Sequence, residues 1–229
     1  MPSRQFRQLT PQQADQFIQH GWVKIEGCFT KEQAANATRD VWVRLGMDPT
    51  DKSTWTTEQN GMPTQNRWLI KDFAPKAWNA LCDIVGDEDL IVNKTWTDGF
   101  IVNLGSPEGE GKDLPPDQWH IDGQRWVNFL DSPEQGLLIM PLYSDIRPGG
   151  GGTIIAPSAL PTLAKHLYEH PEGVMPGYVP VGQEKPKGRT FPRRVGMSTS
   201  PDTWVEVAGN TGDVYMYAVH STAVCSFVC

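Results

Sequence analysis

The chain has 229 residues, of which 38% are hydrophobic, and this is enough for one domain with a sizeable core. A formal charge of −7, without any long run of Lys or Arg, argues against nucleic acid as a partner. No stretch reaches the roughly 20 apolar residues that a membrane span needs, and residues 1–6 lack a signal-peptide core, so a cytoplasmic protein without a membrane partner is predicted.

The N-terminal part begins with a helix signal. Thr10 followed by Pro11 is typical of an N-cap and a first helical residue, and Gly21 is typical of a helix end. These residues predict a helix that ends near His20. The alternating apolar and polar residues 22–26 then predict a short strand.

Two further helices are predicted early in the chain. Thr30 and Gln33 have the spacing of a capping box, which predicts a helix from there to about residue 45. Residues 74–85 have the apolar pattern of a helix, whereas the polar residues 48–66 are expected to be irregular. This part of the chain is therefore interpreted as a mainly helical layer.

Strand signals dominate the rest of the chain. Short apolar or alternating segments, separated by turn residues, occur at 100–104, 137–143, 153–156, 204–207 and 213–220. The turn at 209–212 is predicted to join the last two segments as a strand pair, and one helix is expected at about 159–169. Helices followed by closely spaced strands indicate an α+β domain with a β sandwich or barrel.

Two long segments are predicted to be loops. Residues 105–117 are rich in Pro, Gly and charge, and residues 171–203 are long for a connection without regular structure. Loops of this length are usually lids, binding loops or disordered segments. The Lys and Arg side chains of the second loop attract an acidic substrate in one interpretation and form a solvated charged surface in the other.

The segment at residues 118–123 contains His120 and Asp122. His120 and Asp122 are two positions apart. In an extended strand their side chains would project from the same face, so both could reach a single metal ion. With a histidine from another strand they would form a set of two imidazoles and one carboxylate, which suits non-heme Fe(II) and leaves positions open for O2. The pattern alone is weak, because 5 His and 27 acidic residues produce it about 0.6 times by chance. A surface strand with two polar residues is the alternative.

His220 is the candidate for the second histidine. It ends the last predicted strand, where Val214, Met216 and Ala218 share its face, so it is predicted at the end of an apolar, inward-facing stripe. A buried histidine needs partners for its ring nitrogens. The alternative interpretation is therefore a core histidine that hydrogen-bonds to the backbone.

Two other motifs are interpreted as structural. Residues 166–170 match the H-x-x-E-H pattern of one class of zinc peptidases, with His166 and His170 one helical turn apart. Pro171 follows at once, and no later helix is predicted to supply a third ligand, so the peptidase interpretation is disfavoured. The four glycines at 149–152 are followed by neither Lys-Ser/Thr nor a helix, which predicts a tight connection between strands instead of a phosphate loop.

Together these features resemble the phytanoyl-CoA dioxygenase-like family of Fe(II)/2-oxoglutarate-dependent oxygenases. The matching segments are spread over most of the chain, at residues 21–30, 119–123, 151–158 and 212–222. The resemblance implies a double-stranded β-helix, a cupin-like jelly roll, with N-terminal helices packed on one sheet. It implies a single domain over residues 1–229, with the helical layer at about 1–90 and the jelly-roll core at about 91–229.

For the site, the resemblance implies that iron is held by His120, Asp122 and His220, which are then also the catalytic residues. Thr222 matches a hydroxyl position that contacts the cosubstrate, and Asn103 resembles another position near it. The family uses Fe(II), 2-oxoglutarate and O2. The cosubstrate is converted to succinate and CO2 while a small organic molecule is oxidised, in the expected case by hydroxylation.

Arg125 and Trp126 follow the His120 segment directly, and proximity alone predicts them on the substrate side. The family also has an Arg roughly a dozen residues after the distal histidine, which binds a cosubstrate carboxylate in a bidentate pair. This chain reaches Cys229, so a truncated C-terminus is predicted. The alternative is a non-catalytic or partner-dependent jelly-roll subunit that keeps the metal ligands but lacks that Arg. Homo- and hetero-oligomers are compatible with either interpretation.

Overall fold

The computed structural model describes residues 5–57, 59–104, 119–121, 126–132, 136–175, 178–185, 195–198 and 200–218. In these ranges the helices are α1 (Pro11–His20), α2 (Lys31–Thr38), α3 (Val41–Leu45), α4 (Ile70–Phe73), α5 (Pro75–Val85) and α6 (Leu160–Glu169). The strands are β1 (Trp22–Ile25), β2 (Gln59–Gly61), β3 (Arg67–Leu69), β4 (Thr95–Thr97), β5 (Ile101–Asn103), β6 (Leu138–Pro141), β7 (Ile154–Ile155), β8 (Val174–Met175), β9 (Val179–Pro180), β10 (Val205–Glu206) and β11 (Val214–Tyr217). Within these ranges, none of the helices has the length and apolar character needed to cross a membrane.

Capping residues place α1 where the sequence predicts it. The Thr10 hydroxyl accepts from the Gln13 amide at 3.2 Å, and the Gln13 side chain accepts from the Thr10 amide at 3.0 Å. At the other end Gly21 has a φ of 71°, a left-handed conformation that glycine adopts without strain, and its amide donates to the Phe17 carbonyl. The predicted helix and the strand after it are confirmed.

The second predicted helix is divided in two. The capping box forms, with Thr30 accepting from the Gln33 amide at 3.1 Å, but α2 ends at Thr38 and α3 begins at Val41. The Thr38 hydroxyl donates to the Ala34 carbonyl at 2.9 Å, a local bond that bends helices. The prediction of one continuous helix is wrong, whereas α5 and α6 begin within one residue of their predicted starts.

The central sheet has the strand order β1–β11–β6, and both pairings are antiparallel. Tyr217 of β11 lies opposite Trp22 on one side and opposite Leu138 on the other. All four residues of β11 are buried, because both faces of the sheet are covered. The pairs β2–β5, β3–β4 and β8–β9 are also antiparallel.

One face of the central sheet packs against the N-terminal helices. Val23 and Ile25 of β1 and Val214 and Met216 of β11 join the buried side chains of the helices in one cluster, the helical core. The other buried members of the helical core are Leu9, Ala14, Cys28, Phe29, Ala34, Ile70, Ala74, Ala77, Trp78, Ala80, Leu81, Cys82, Ile91 and Trp96. The helices therefore form a layer on this sheet.

The opposite face of the central sheet packs against a second sheet, in which β7 and β10 are antiparallel. Tyr215 and Tyr217 of β11 pack here with Leu142, Ile155 and Val207 in a second cluster, the intersheet core. The chain is thus α+β, as predicted. Over the residues that the structure describes, the sheets are small and antiparallel and do not close into a barrel.

The turn at 209–212 is a corner between two sheets, so the prediction that it joins a strand pair is wrong. β10, before the turn, pairs with β7, and β11, after it, pairs with β1 and β6. Gly209 forms two backbone hydrogen bonds with Ile146, at 2.8 and 2.9 Å. Because the turn bonds to a distant segment, the strands on its two sides separate.

The corner is also clamped to the segment that follows β1. The Cys28 amide donates to the Gly212 carbonyl at 2.7 Å. Asp213, which is 3% exposed, accepts from the Gly27 amide at 3.1 Å and from the Asn210 amide at 3.0 Å. Two of the segments that carry the family resemblance are therefore in direct contact through structural hydrogen bonds.

Part of the segment predicted as a long loop has regular structure. The strands β8 and β9 pair in it, and Tyr178 just before β9 has a left-handed φ of 59°. Val174 exchanges two backbone hydrogen bonds with Asn128, at 2.8 and 2.9 Å. Val174 and Tyr178 are fully or almost fully buried, and this apolar anchoring is hidden by the polar composition of their neighbours.

One buried carboxylate anchors the N-terminal segment. Asp83 of α5 is 6% exposed and accepts hydrogen bonds from the backbone amides of Arg7, Gln8 and Leu9, at 2.8–2.9 Å. Three amides thus share one acceptor group. The segment before α1 is held on α5 by charge-assisted hydrogen bonds, which are stronger than neutral ones.

We expect Asp83→Ala to lower the free energy of unfolding by about 2–3 kcal/mol, since the amides lose a charged acceptor. Urea unfolding measures the change, and amide hydrogen exchange should accelerate at residues 7–9. The exposed Asp15 provides a matched control, Asp15→Ala, with an expected change within about 0.5 kcal/mol. Equal stability of the two variants would contradict the anchoring role.

Candidate functional site

Of the predicted metal ligands, the structure describes His120. Its backbone forms a β-bridge, and its side chain is half-buried. Trp119 and Ile121 on either side are 2% and 4% exposed. Since successive side chains of an extended segment point to opposite faces, His120 is directed away from the core that holds its neighbours.

Those two neighbours belong to a third cluster, the α6 core, which is packed beneath α6. Its buried members are Trp119, Ile121, Ala156, Ala159, Leu163, Leu167, Val174, Tyr178, Val195 and Met197. Leu138, Ile154 and Trp204 are partly buried at its edge. The ring centroids of Trp119 and Trp204 are 5.4 Å apart. The backbone at His120 is therefore fixed by apolar packing on both sides.

Leu138 lies between the α6 core and the end of β11. Its side chain packs against both the α6 core and the intersheet core. Its partner across the central sheet is Tyr217, the last residue of β11. One residue later, the Ala218 amide donates to the Gly21 carbonyl at 2.8 Å, so the chain still follows the first strand. The α6 core, which contains both neighbours of His120, and the end of β11 thus have Leu138 as a common neighbour.

Four of the predicted site residues, Asp122, Arg125, His220 and Thr222, lie outside the described residues. Over the described ranges, no group of three or more His, Cys, Asp or Glu side chains is arranged to hold a metal ion. Because two of the three predicted ligands are not among these side chains, the distances of the predicted iron site are not defined.

The stripe predicted to lead to His220 is buried, but so is the opposite face of the strand. Val214 and Met216 pack in the helical core, whereas Tyr215 and Tyr217 pack in the intersheet core. The sheet has apolar layers on both sides, so burial does not distinguish an inward face from an outward one. The alternation of apolar residues therefore carries less information about His220 than the sequence interpretation assumes.

Asn103 and Trp126 are described, and both are accessible. Asn103 is exposed on β5, opposite Gln59 of β2. Trp126 is 39% exposed, and Phe129 and Leu130 shortly after it are 41% and 47% exposed. Large apolar side chains concentrated in one short segment often mark a contact surface. This segment begins at Trp126, one of the two residues predicted on the substrate side.

A buried charged pair, Arg44 and Asp98, is missed by the sequence patterns. The side chains are 9% and 1% exposed, and Nη1 of Arg44 lies 2.9 Å from Oδ2 of Asp98. Asp98 also accepts from the Gln65 and Asn66 amides and from the Asn66 side chain, at 2.7–2.8 Å. Burial alone would raise the pKa of Asp98, but these bonds and the Arg44 charge lower it to about 2. Arg44 is 54 positions away, so no local spacing reveals the pair.

An aromatic cluster beside this pair contains buried polar atoms. The Tyr143 ring lies 4.8 Å from the Phe100 ring, and burial together with the Asp98 charge raises the pKa of the Tyr143 hydroxyl. That hydroxyl, Nε1 of Trp96 and Nε of Arg44 are buried without a hydrogen-bond partner among the described residues. Ordered water is the usual partner of such groups. We therefore assign the cluster to the core.

The turn of four glycines binds a carboxylate of the chain itself. The Gly149 amide donates to Oε2 of Glu206 at 2.7 Å, and the Gly152 amide donates to Oε1 at 3.2 Å. Gly149 and Gly151 have φ values of 72° and 80°, which glycine adopts without strain. The turn ties the start of β7 to β10, and the predicted tight connection between strands is confirmed.

No protein-family model matches the chain, and no curated protein matches its sequence. Two crystal structures of the Escherichia coli hypothetical protein JW0805, one of them at high pH, are distantly similar. The high-pH structure shares 14% sequence identity, with a TM-score of 0.48, over 96% of this chain and 65% of that chain. The other shares 15% identity, with a TM-score of 0.45, over 96% of this chain and 66% of that chain. The chain thus spans just under two thirds of the length of JW0805.

Proposed function

We propose that the chain is a non-heme Fe(II)/2-oxoglutarate-dependent dioxygenase built on a double-stranded β-helix. The observation that carries the proposal is the position of Leu138. It packs against the α6 core, which holds both neighbours of His120, and it pairs with Tyr217 at the end of β11, three residues before His220. Two antiparallel sheets that face each other over the intersheet core support the jelly-roll architecture.

The three proposed ligands suit Fe(II) by their chemistry. His120 and His220 would supply imidazole nitrogens and Asp122 a carboxylate oxygen, a donor set that leaves coordination positions open. When bound, Fe(II) and 2-oxoglutarate supply O2 activation, with conversion of 2-oxoglutarate to succinate and CO2 and hydroxylation of a small organic molecule.

The packing around His120 gives the described residues a positioning role in this proposal. Trp119 and Ile121 anchor the backbone on both sides of the ligand, and Trp204 covers Trp119. A ligand whose backbone is fixed before the metal binds loses less conformational entropy on binding. The same apolar side chains exclude water from one side of the segment.

The other predicted residues have distinct roles in the proposal. The hydroxyl of Thr222 and the side-chain amide of Asn103 would donate hydrogen bonds to the carboxylates of 2-oxoglutarate. The partly exposed ring of Trp126 offers an apolar surface for an organic substrate, and Arg125 offers a positive charge beside it. Cosubstrate and substrate contacts therefore come from different segments of the chain.

Anaerobic titration tests the proposal. We expect a weak visible charge-transfer band when Fe(II) and millimolar 2-oxoglutarate are added to the full chain without O2. The band should disappear in His120→Ala, because one of three protein ligands is lost. It should persist in His20→Ala, the matched control, since His20 is exposed at the end of α1.

Absence of the band in the unchanged protein would overturn the proposal. So would a band of equal intensity in His120→Ala. Circular dichroism and thermal unfolding of each variant show whether a lost band reflects a lost ligand or a lost fold.

A further inference from the structure

We propose that His166 and His170 form a binding site for a late first-row divalent transition metal, namely Cu²⁺, Ni²⁺ or Zn²⁺, at the C-terminal end of α6. The site does not depend on the iron site proposed at His120. It uses the two histidines of the H-x-x-E-H motif for metal binding, without peptidase activity.

The two imidazoles are already close together. His166 and His170 are four positions apart, which brings them onto one side of the helix end, where His170 is the C-cap residue. Their ring centroids are 4.7 Å apart, and the ring planes are tilted by 58°. Two imidazoles on one tetrahedral ion, each with a nitrogen at about 2.1 Å, have centroids roughly 5 Å apart. The observed spacing of the two rings is therefore close to that of two imidazoles on a shared ion.

The helix that carries the pair is a firm support. Leu163 and Leu167 are 0% and 2% exposed in the α6 core. The His166 ring also stacks on the buried ring of Tyr178, with the ring centroids 5.9 Å apart and the ring planes inclined by 27°.

Each imidazole has the kind of partner that orients a metal-binding histidine. Nδ1 of His170 donates to Oε1 of Glu172 at 3.0 Å. The His166 ring hydrogen-bonds with the backbone of Tyr178, and its Nε2 atom is buried without a hydrogen-bond partner among the described residues. Carboxylate and backbone partners fix the tautomer and leave the second nitrogen for a metal. A bound ion would satisfy the unpartnered nitrogen of His166.

The chemistry of the pair selects the class of metal and argues against peptidase activity. Within the described ranges no third metal-binding side chain joins the two histidines, so water would fill the other positions. Glu169, the acidic residue of the motif, is paired with Lys165 at 3.7 Å. For nitrogen ligands the affinity of divalent ions rises to Cu²⁺ and falls again at Zn²⁺, so Cu²⁺ is expected to bind most tightly.

Calorimetric titration of Ni²⁺ and Cu²⁺ into the full chain, free of any polyhistidine tag, tests the site. His120→Ala serves as the background, so that metal at the proposed iron site does not contribute and the two proposals can fail separately. We expect one equivalent to bind, and His166→Ala and His170→Ala to weaken it about 100-fold or more, since a chelate becomes a single-ligand contact. Glu172→Gln should weaken binding about 10-fold or more.

The matched control is His20→Ala, at an exposed histidine on another helix, which should bind metal as tightly as the background protein. Electron paramagnetic resonance of bound Cu²⁺ should report two nitrogen ligands in the background protein and one in His170→Ala. Unchanged affinity in both single-histidine variants overturns the proposal, and so does loss of binding in His20→Ala. His170→Gln, at the helix end, keeps the test valid if His166→Ala fails to fold.

Discussion

Asp98→Ala is expected to lower the free energy of unfolding by about 3–5 kcal/mol, because it removes the buried carboxylate that lies 2.9 Å from the Arg44 guanidinium. The carboxylate that remains, Asp40, is partly exposed and lies 3.9 Å away. The substitution also removes the acceptor shared by the Gln65 and Asn66 amides. These bonds tie the segment before β3 to the residue after β4. Urea unfolding followed by tryptophan fluorescence measures the change.

Two further variants separate the charge from the side chain. Asp98→Asn keeps the shape and part of the acceptor capacity, so its stability should lie between that of Asp98→Ala and that of the unchanged protein. Asp131→Ala, at an exposed position, should stay within about 0.5 kcal/mol of the unchanged protein. If Asp98→Ala were as stable as Asp131→Ala, the buried pair would have no stabilising role.

The Asp98 carboxylate also makes the free energy of unfolding depend on pH, with stability falling in acid. Burial alone would raise the pKa of Asp98, but its hydrogen bonds and the Arg44 charge outweigh burial and lower this pKa to about 2 in the folded state. In the unfolded chain an Asp has a pKa of about 3.9. The stabilisation is complete above the unfolded value and is lost as the pH falls through the folded one. Asp145, whose pKa is also lowered to about 2, titrates in this window. The readout is therefore the difference between Asp98→Asn and the unchanged protein, which should shrink between about pH 4 and pH 2.

Gly212→Ala is expected to lower the free energy of unfolding by about 3–4 kcal/mol, from backbone strain and overpacking together. The residue has a φ of 98°, which side-chain-bearing residues rarely adopt, and a Cβ there would overlap the carbonyl oxygen of Phe29. That carbonyl belongs to the backbone, and the amide of the preceding residue, Cys28, donates to the Gly212 carbonyl. The corner between the two sheets therefore has no room to adjust.

Gly149→Ala is the matched control for this effect. Gly149 also has a left-handed φ, of 72°, but a Cβ there meets no atom within 4 Å. Its substitution should show backbone strain alone, about 1–2 kcal/mol. Thermal or urea unfolding of both variants compares them, and equal destabilisation would mean that the approach to Phe29 is not what requires glycine.

The parts of the fold that could be predicted from the sequence depend on local interactions. The capping box of Thr10 and Gln13 and the left-handed Gly21 act within one helix, so they are readable from neighbouring residues. The break between α2 and α3 was not readable, because the Thr38 hydroxyl can either face solvent or bond to the Ala34 carbonyl.

Pairing between distant segments could not be predicted. The last two strands are adjacent in sequence and separated by a turn, which is the usual pattern of a hairpin. They separate because Gly209 bonds to Ile146 and Gly212 bonds to Cys28, and neither partner is near in sequence. Arg44 and Asp98 escaped prediction for the same reason.

The candidate site was predictable only as residue types. His120 could be selected because its spacing to Asp122 matches the ligand pattern of an iron site. Leu138, which packs against the α6 core and pairs with the end of β11, has no such signal in the sequence. The histidine pair on α6 was visible as a motif. Its partners Glu172 and Tyr178 become evident from the contacts that form after the helix ends.

The strand β11 pairs on both edges and is covered on both faces, yet it comes almost last in the described chain. Gly27, near the start, donates to a carboxylate 186 positions later. Such long separations give a high contact order, which slows folding. During synthesis β1 and β6 leave the ribosome before the strand that both of them need, and their apolar side chains remain accessible until it follows. A nascent chain that has not reached residues 214–217 should therefore depend on chaperones to avoid aggregation.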